Sequence, residues 1–116
     1  MQTKHELLSN VYEAFNRRDI ETVLSVIRPD VDWPNGWEGG RLTGHEALRE
    51  YWTRQWAAIN PNVDPVGFET DEAGRTVVNV HQIVCDLEGN IIVDGMVEHI
   101  YEFEGGQIKR MEIKSP

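Results

Sequence analysis

Cysteine is almost absent. Cys85 stands alone in 116 residues, so neither an intrachain disulfide nor a cysteine-based zinc cage holds the fold, and the apolar core must do so unaided. Positive charge is scarce as well. Eleven Lys and Arg face twenty Asp and Glu, a formal net charge of -9 with the four histidines neutral, and a field of that sign repels phosphate backbones and anionic lipid. Nucleic acid and membrane surfaces are therefore not expected as partners. Long apolar runs are missing too: the longest, Trp56-Ala57-Ala58-Ile59, falls far short of the roughly 20 residues that cross a bilayer. The first residues hold no basic stretch followed by an apolar one, so no secretory leader is expected and the expected compartment is the cytoplasm. There is no repeat or low-complexity tract, and the five prolines and ten glycines fall between periodic segments. One domain over residues 1–116 is expected.

The apolar residues that are present follow two periods. From Thr3 onward Leu7, Leu8, Val11, Tyr12 and Phe15 recur at helical spacing with Glu6, Asn10, Glu13 and Asn16 between them, which predicts an amphipathic first helix. Asp19 suits the N-cap of a short second helix carrying Ile20, Val23, Leu24 and Ile27, ended by the restriction that Pro29 places on Arg28. The passage from Asp30 to Thr43 holds Trp33 and Trp37 among glycines; only Val31 to Trp33 reads as a brief strand, and the rest reads as a structured loop. Thr43 or Gly44 then opens a third helix with the stripe Ala47, Leu48, Tyr51, Trp52, Gln55, Trp56 and Ile59, closed by Asn60-Pro61. Past Pro61 the period becomes two. It predicts strands near Val63–Thr70, Thr76–Asp86, Ile91–Phe103 and Gln107–Lys114, with turns at 72–75, 88–89 and 104–106. Three helices before an antiparallel meander predict an α+β fold with helices on one face of a curved sheet. Gly95 is the expected place for a bulge that bends the strand from Ile91.

If Glu88-Gly89 is a two-residue turn, Leu87 pairs with Asn90, and counting back sets Val80 opposite Val97, Val78 opposite His99 and His81 opposite Met96. Side chains then sort by parity. Val78, Val80, Val84, Val97, His99, Tyr101 and Phe103 share the face expected beneath the helices, while Asn79, His81, Ile83, Cys85, Met96, Glu98, Ile100 and Glu102 share the other. The second face mixes apolar with charged groups, as a subunit contact does, so a homodimer through it is expected. His81 and Glu98 should meet there as diagonal neighbours.

Four stretches carry a resemblance: Val11–Asp19 (VYEAFNRRD), Pro29–Trp33 (PDVDW), Gly44–Trp52 (GHEALREYW) and Glu98–Ile108 (EHIYEFEGGQI). In that order they resemble the nuclear transport factor 2-like (NTF2-like) superfamily, specifically its SnoaL-like, polyketide-cyclase-like and ketosteroid-isomerase-like bacterial members. The resemblance implies a cone. A bent, mainly antiparallel sheet would wrap round three N-terminal helices, leave a pocket at the open end and form dimers through its outer face. Ketosteroid isomerases use a first-helix tyrosine, an aspartate base after the second helix and a protonated aspartate on the penultimate strand. Here those positions fall on Val11, with Tyr12 beside it, on Trp33, just after Asp32, and on His99. The pocket's place is implied, but steroid isomerisation by that machinery is not.

His99 is the leading candidate for chemistry, since a neutral imidazole in an apolar pocket takes or gives a proton near pH 7. It reads equally as a core histidine bonded to Tyr101, Asp32 or a backbone carbonyl. Asp32 is its natural partner, or the alternative base if tryptophans desolvate it; otherwise it is a water-facing turn residue or cap. Tyr12 or Tyr101 would donate a hydrogen bond to developing oxyanion charge. Trp33, Trp37, Trp52 and Trp56, with Val97, offer apolar walls for a flat or cyclic ligand. Of these, Trp52 and Trp56 read as core first, and Trp33 and Trp37 as loop residues that need a cover. His5 and His45 read as solvated. No Cys, His and carboxylate set has metal-ligand spacing and no glycine pattern suits a dinucleotide, so no cofactor is expected. Two function classes remain. One is a cofactor-free isomerase, cyclase or hydrolase working by acid-base proton transfer on a small apolar or cyclic organic molecule. The other is a non-catalytic homodimeric binding or adaptor domain whose cone the same side chains fill.

Overall fold

Two of the three helices begin where a short polar side chain takes up a free backbone N–H. In the computed structural model, which describes residues 3–115, Thr3 Oγ1 accepts from the Glu6 N–H at 3.1 Å at the start of α1 (Lys4–Asn16). Asp19 accepts from the Thr22 N–H at 3.3 Å to start α2 (Ile20–Leu24). α3 (His45–Ala58) follows Gly44, whose φ of +90° is a conformation that side-chain-bearing residues rarely adopt. The strands are β1 (Ile27–Pro34), β2 (Arg41–Thr43), β3 (Ile59–Thr70), β4 (Thr76–Asp86), β5 (Ile91–Glu104) and β6 (Gln107–Lys114). They form one sheet in the order β2-β1-β6-β5-β4-β3, antiparallel except for the parallel pair β1 and β6. The fold is α+β, with three helices packed on a curved mixed sheet. Leu8 and Leu48 from the helices share one core with Ile27, Val78, Val80 and Ile108 from the sheet, all fully buried, and each such burial contributes about 1.5–3 kcal/mol.

Several boundaries depart from the periodicity. α2 stops at Leu24, and Ile27, expected on its apolar stripe, instead opens β1 opposite Ile108. So short a helix has little stability of its own, and the long-range pairing prevails. The brief strand expected at Val31 to Trp33 is there but longer: β1 starts at Ile27 and runs on to Pro34, with β2 folded back against it and Trp33 facing Leu42. α3 ends before Asn60-Pro61, but no connector follows, for Ile59 is already extended at φ -141°. β3 tolerates Pro61 and Pro65 because it is a sheet edge, where a missing N–H removes no ladder bond. Asn16 covers part of that edge: its amide donates to the Val63 carbonyl and accepts from the Val63 N–H, both at 2.9 Å.

The hairpin of β4 and β5 has the expected register through its body, with Val78 opposite His99, Val80 opposite Val97 and His81 opposite Met96. Its end differs. Leu87 does not pair with Asn90; the Asp86 N–H donates to the Asn90 carbonyl at 2.9 Å, and the Asp86 carboxylate accepts from the Glu88 and Asn90 N–H groups, also at 2.9 Å. An aspartate that satisfies its own turn stabilises this longer loop. The extra residue is absorbed at Ile92, between the pairs Val84–Val93 and Cys85–Ile91. The bulges therefore fall at Val66, Ile92 and Lys109, while Gly95 stays in register opposite Gln82.

Candidate functional site

Alternation along β1 and β5 gathers Trp33, Val97, His99 and Tyr101 on the concave face, and α1 and α3 cover that face without filling it. A cavity of about 620 Å³ remains, walled by Tyr12, Trp33, Trp52, Val97, His99 and Tyr101 among others. The filled interior expected of a purely structural cone is not what this chain builds. Trp37, Ile92, Val93 and Ile113 also line the cavity and are 40–55% exposed, which marks them as its mouth. Among the described residues no Asp, Glu, Lys or Arg side chain lines it.

At the inner end three polar groups form a chain. The Tyr12 hydroxyl lies 2.8 Å from His99 Nδ1 and 2.8 Å from the Tyr101 hydroxyl, and the Tyr12 and His99 rings stack with centroids 5.8 Å apart. α1 supplies Tyr12 from its buried face, and β5 supplies His99 and Tyr101 two residues apart, hence on one side. All three are nearly enclosed, at 3%, 8% and 2% exposure. Burial far from any counter-charge disfavours their ionised forms: it lowers the His99 pKa to about 4 and raises those of Tyr12 and Tyr101. At neutral pH the chain is uncharged from end to end.

Two proton arrangements satisfy it. In the first, Tyr101 donates to Tyr12 and Tyr12 donates to Nδ1, so that Nε2 carries the ring proton. In the second, Nδ1 donates to Tyr12 and Tyr12 donates to Tyr101; Nε2 is then a bare lone pair and the Tyr101 O–H is free to donate. Nε2 has no protein partner among the described residues. The same three side chains thus present either a donor or a base at one atom.

Asp32 is not part of this group. It alternates with Trp33 along β1, so an inward Trp33 sends it to the outer face, where Arg110 holds its carboxylate and Arg41 Nε donates to it at 2.5 Å. The expected carboxylate partner for His99 is corrected to a phenol, Tyr12. Trp56 does not line the cavity either. It stacks on Trp52 at 6.1 Å with the Arg18 guanidinium 5.0 Å over its ring, joining α3 to the end of α1. On the outer face His81 Nε2 bonds Asp94 at 2.7 Å rather than Glu98, because Asp94 shares that face at the next outward position before Met96. His5 is exposed as expected, but His45 is half-buried and Nε2 donates to the Ile27 carbonyl at 2.8 Å. Two lining residues, Gln55 and Gln82, were not singled out from the sequence. Both were legible there: Gln55 lies on the α3 stripe, and Gln82 shares its parity with Val80 and Val84.

A model of the SnoaL-like domain matches residues 8–111. The chain belongs to that family. Among solved structures, this SnoaL-like chain is similar to TerC co-crystallised with polyporic acid, at 28% identity over 97% of this chain and 90% of that one, with a TM-score of 0.82. It is similar also to an NTF2-like protein of unknown function from Burkholderia pseudomallei, at 27% identity over 100% and 92% of the two chains, with a TM-score of 0.83. A candidate polyketide cyclase from Sinorhizobium meliloti, 18% identical over 93% of each chain, shares the fold with a TM-score of 0.78. No curated protein matches the chain. Among the described residues no helix of this SnoaL-like domain is long and apolar enough to cross a membrane.

Proposed function

We propose that this SnoaL-like protein binds an uncharged, flat or cyclic organic molecule of low polarity and moves a proton on it by acid-base chemistry that needs no cofactor, as an isomerase or cyclase does. One observation carries the reading: His99 meets a cavity of about 620 Å³ that, among the described residues, no charged side chain lines, with Nδ1 committed to Tyr12 and Nε2 without a partner among those residues. In the arrangement that leaves Nε2 bare, the imidazole takes a proton from a carbon beside a carbonyl group. Nδ1 passes its proton to Tyr12, Tyr12 passes its own to Tyr101, and the Tyr101 O–H protonates the enolate oxygen. The proton has moved from carbon to oxygen and the relay ends in its other arrangement, with no lasting charge on the protein. Neutrality matters here because an isolated ion in a low-dielectric cavity is strongly disfavoured. Running the relay backward returns the proton to carbon, at the same or a conjugated position.

TerC is co-crystallised with polyporic acid, and the aromatic walls of Trp33, Trp37 and Trp52 in this chain suit a flat ligand. The reading includes a homodimer through the outer sheet face, where the exposed Met96 and the half-buried Ile83 stand among His81, Asp94 and Glu98. The experiment is exchange of the α-protons of 4-phenylcyclohexanone in D2O, followed by NMR. The wild-type protein should accelerate it, His99→Gln should lose about 100-fold or more of that acceleration, and Asp32→Asn should keep it. No acceleration by the wild type, or full acceleration by His99→Gln, overturns the reading.

A further inference from the structure

Four residues along β4 from the row that pairs Val78 with His99, a second polar side chain faces the same cavity. It is Gln82, whose row runs Val63, Gln82, Gly95 across β3, β4 and β5. At about 3.3 Å per residue the two rows stand about 13 Å apart along the strand, with Val80 and Val97 between them. Space lies beside Gln82: a Cβ built on Gly95 would meet nothing within 4 Å. The Gln82 amide makes no hydrogen bond with the described residues, although it lines a cavity whose walls are mostly apolar. Gln55 reaches the cavity from α3, bonded only loosely to the Tyr51 hydroxyl at 3.4 Å. A cavity amide with a free carbonyl and a free NH2 group is satisfied by water or by a ligand oxygen, and it recognises a hydroxyl or carbonyl without needing charge.

We propose that Gln82, with Gln55, is a second recognition point that makes the ligand elongated: an uncharged molecule with a hydrogen-bonding oxygen at each end, the inner one at His99 and Tyr101, the outer one at Gln82. The proposal rests on the proton-transfer reading for the inner end only. The open position at Gly95 gives the outer oxygen its room, and Ile92 and Val93, which line the mouth, are apolar.

The test compares two neutral probes that differ in one group, 4-phenylcyclohexanone and 4-(4-hydroxyphenyl)cyclohexanone, by NMR titration. The wild-type protein should bind the phenol about threefold to tenfold more tightly, the range of one neutral hydrogen bond. Gln82→Met, which keeps side-chain length but removes the amide donor and acceptor, should bind the two probes equally and so erase that preference. Gly95→Val retains the amide but fills the space beside it; it should weaken both two-ring probes and spare 4-methylcyclohexanone. Equal affinities in the wild type, or a preference that survives Gln82→Met, overturns the proposal. The α-proton exchange of each ketone is read on the same samples. Preference without exchange overturns the proton-transfer reading and leaves this one standing; exchange without preference does the reverse; binding of neither two-ring probe overturns both.

Discussion

Acid should destabilise this protein partly through one imidazole. Burial with no counter-charge holds the His99 pKa at about 4, against 6.5 for an open histidine, because the charged ring would lose its hydration on folding. At neutral pH the ring is uncharged in both states and titration adds nothing to stability. As the pH falls through 6.5 the unfolded chain takes up a proton that the folded one refuses, so stability declines until the folded ring protonates near 4. The gap between the two values corresponds to about 3 kcal/mol, a large part of the 5–15 kcal/mol typical of a small domain. Asp71, Asp86 and Glu112, whose hydrogen bonds hold their carboxyls below the usual range, lose stability in the same direction. A comparison with His99→Gln subtracts them. Urea unfolding of both proteins between about pH 7.5 and about 4 gives the difference directly. The wild type should lose about 3 kcal/mol relative to the variant over that interval. A difference that stays level refutes the buried, uncharged ring on which the site depends.

Tyr12→Phe deletes the hydroxyl between His99 and Tyr101 and leaves two enclosed polar groups without their partner. Urea unfolding should show a loss of about 1–3 kcal/mol, and α-proton exchange should slow while ketone binding persists; wild-type exchange in this variant would exclude the relay. Sedimentation at micromolar concentration should give twice the 13.3 kDa of one chain, and Met96→Glu on the outer face should return it to one; a wild-type monomer would refute the dimer.

Much of the candidate site could be read from the order of residues. Helical spacing placed Tyr12 on a buried face, and the alternation of β5 put His99 and Tyr101 on one side whatever the turn at Glu88 did, because both sit in a strand with a period of two. The register near His99 was also predictable. It survived an incorrect reading of the hairpin end, since the bulge at Ile92 absorbed the longer turn. Asp32 shows the limit. Alternation dictates that Asp32 and Trp33 oppose each other but not which faces inward; that was settled by Arg41 and Arg110, one of them 78 positions away along the chain.

Local order therefore determined the helices, the strands and the pairs of side chains that share a face, since neighbours in sequence impose the 3.6 and 2.0 periods directly. Only the tertiary structure decided that Ile27 opens a strand beside Ile108, that Tyr12 and not a carboxylate meets His99, and that the cone stays hollow. The physical reason is common to all three. Parallel pairing, a contact between a helix and a distant strand, and the volume left between packed surfaces each depend on groups far apart along the chain, and no local pattern records them.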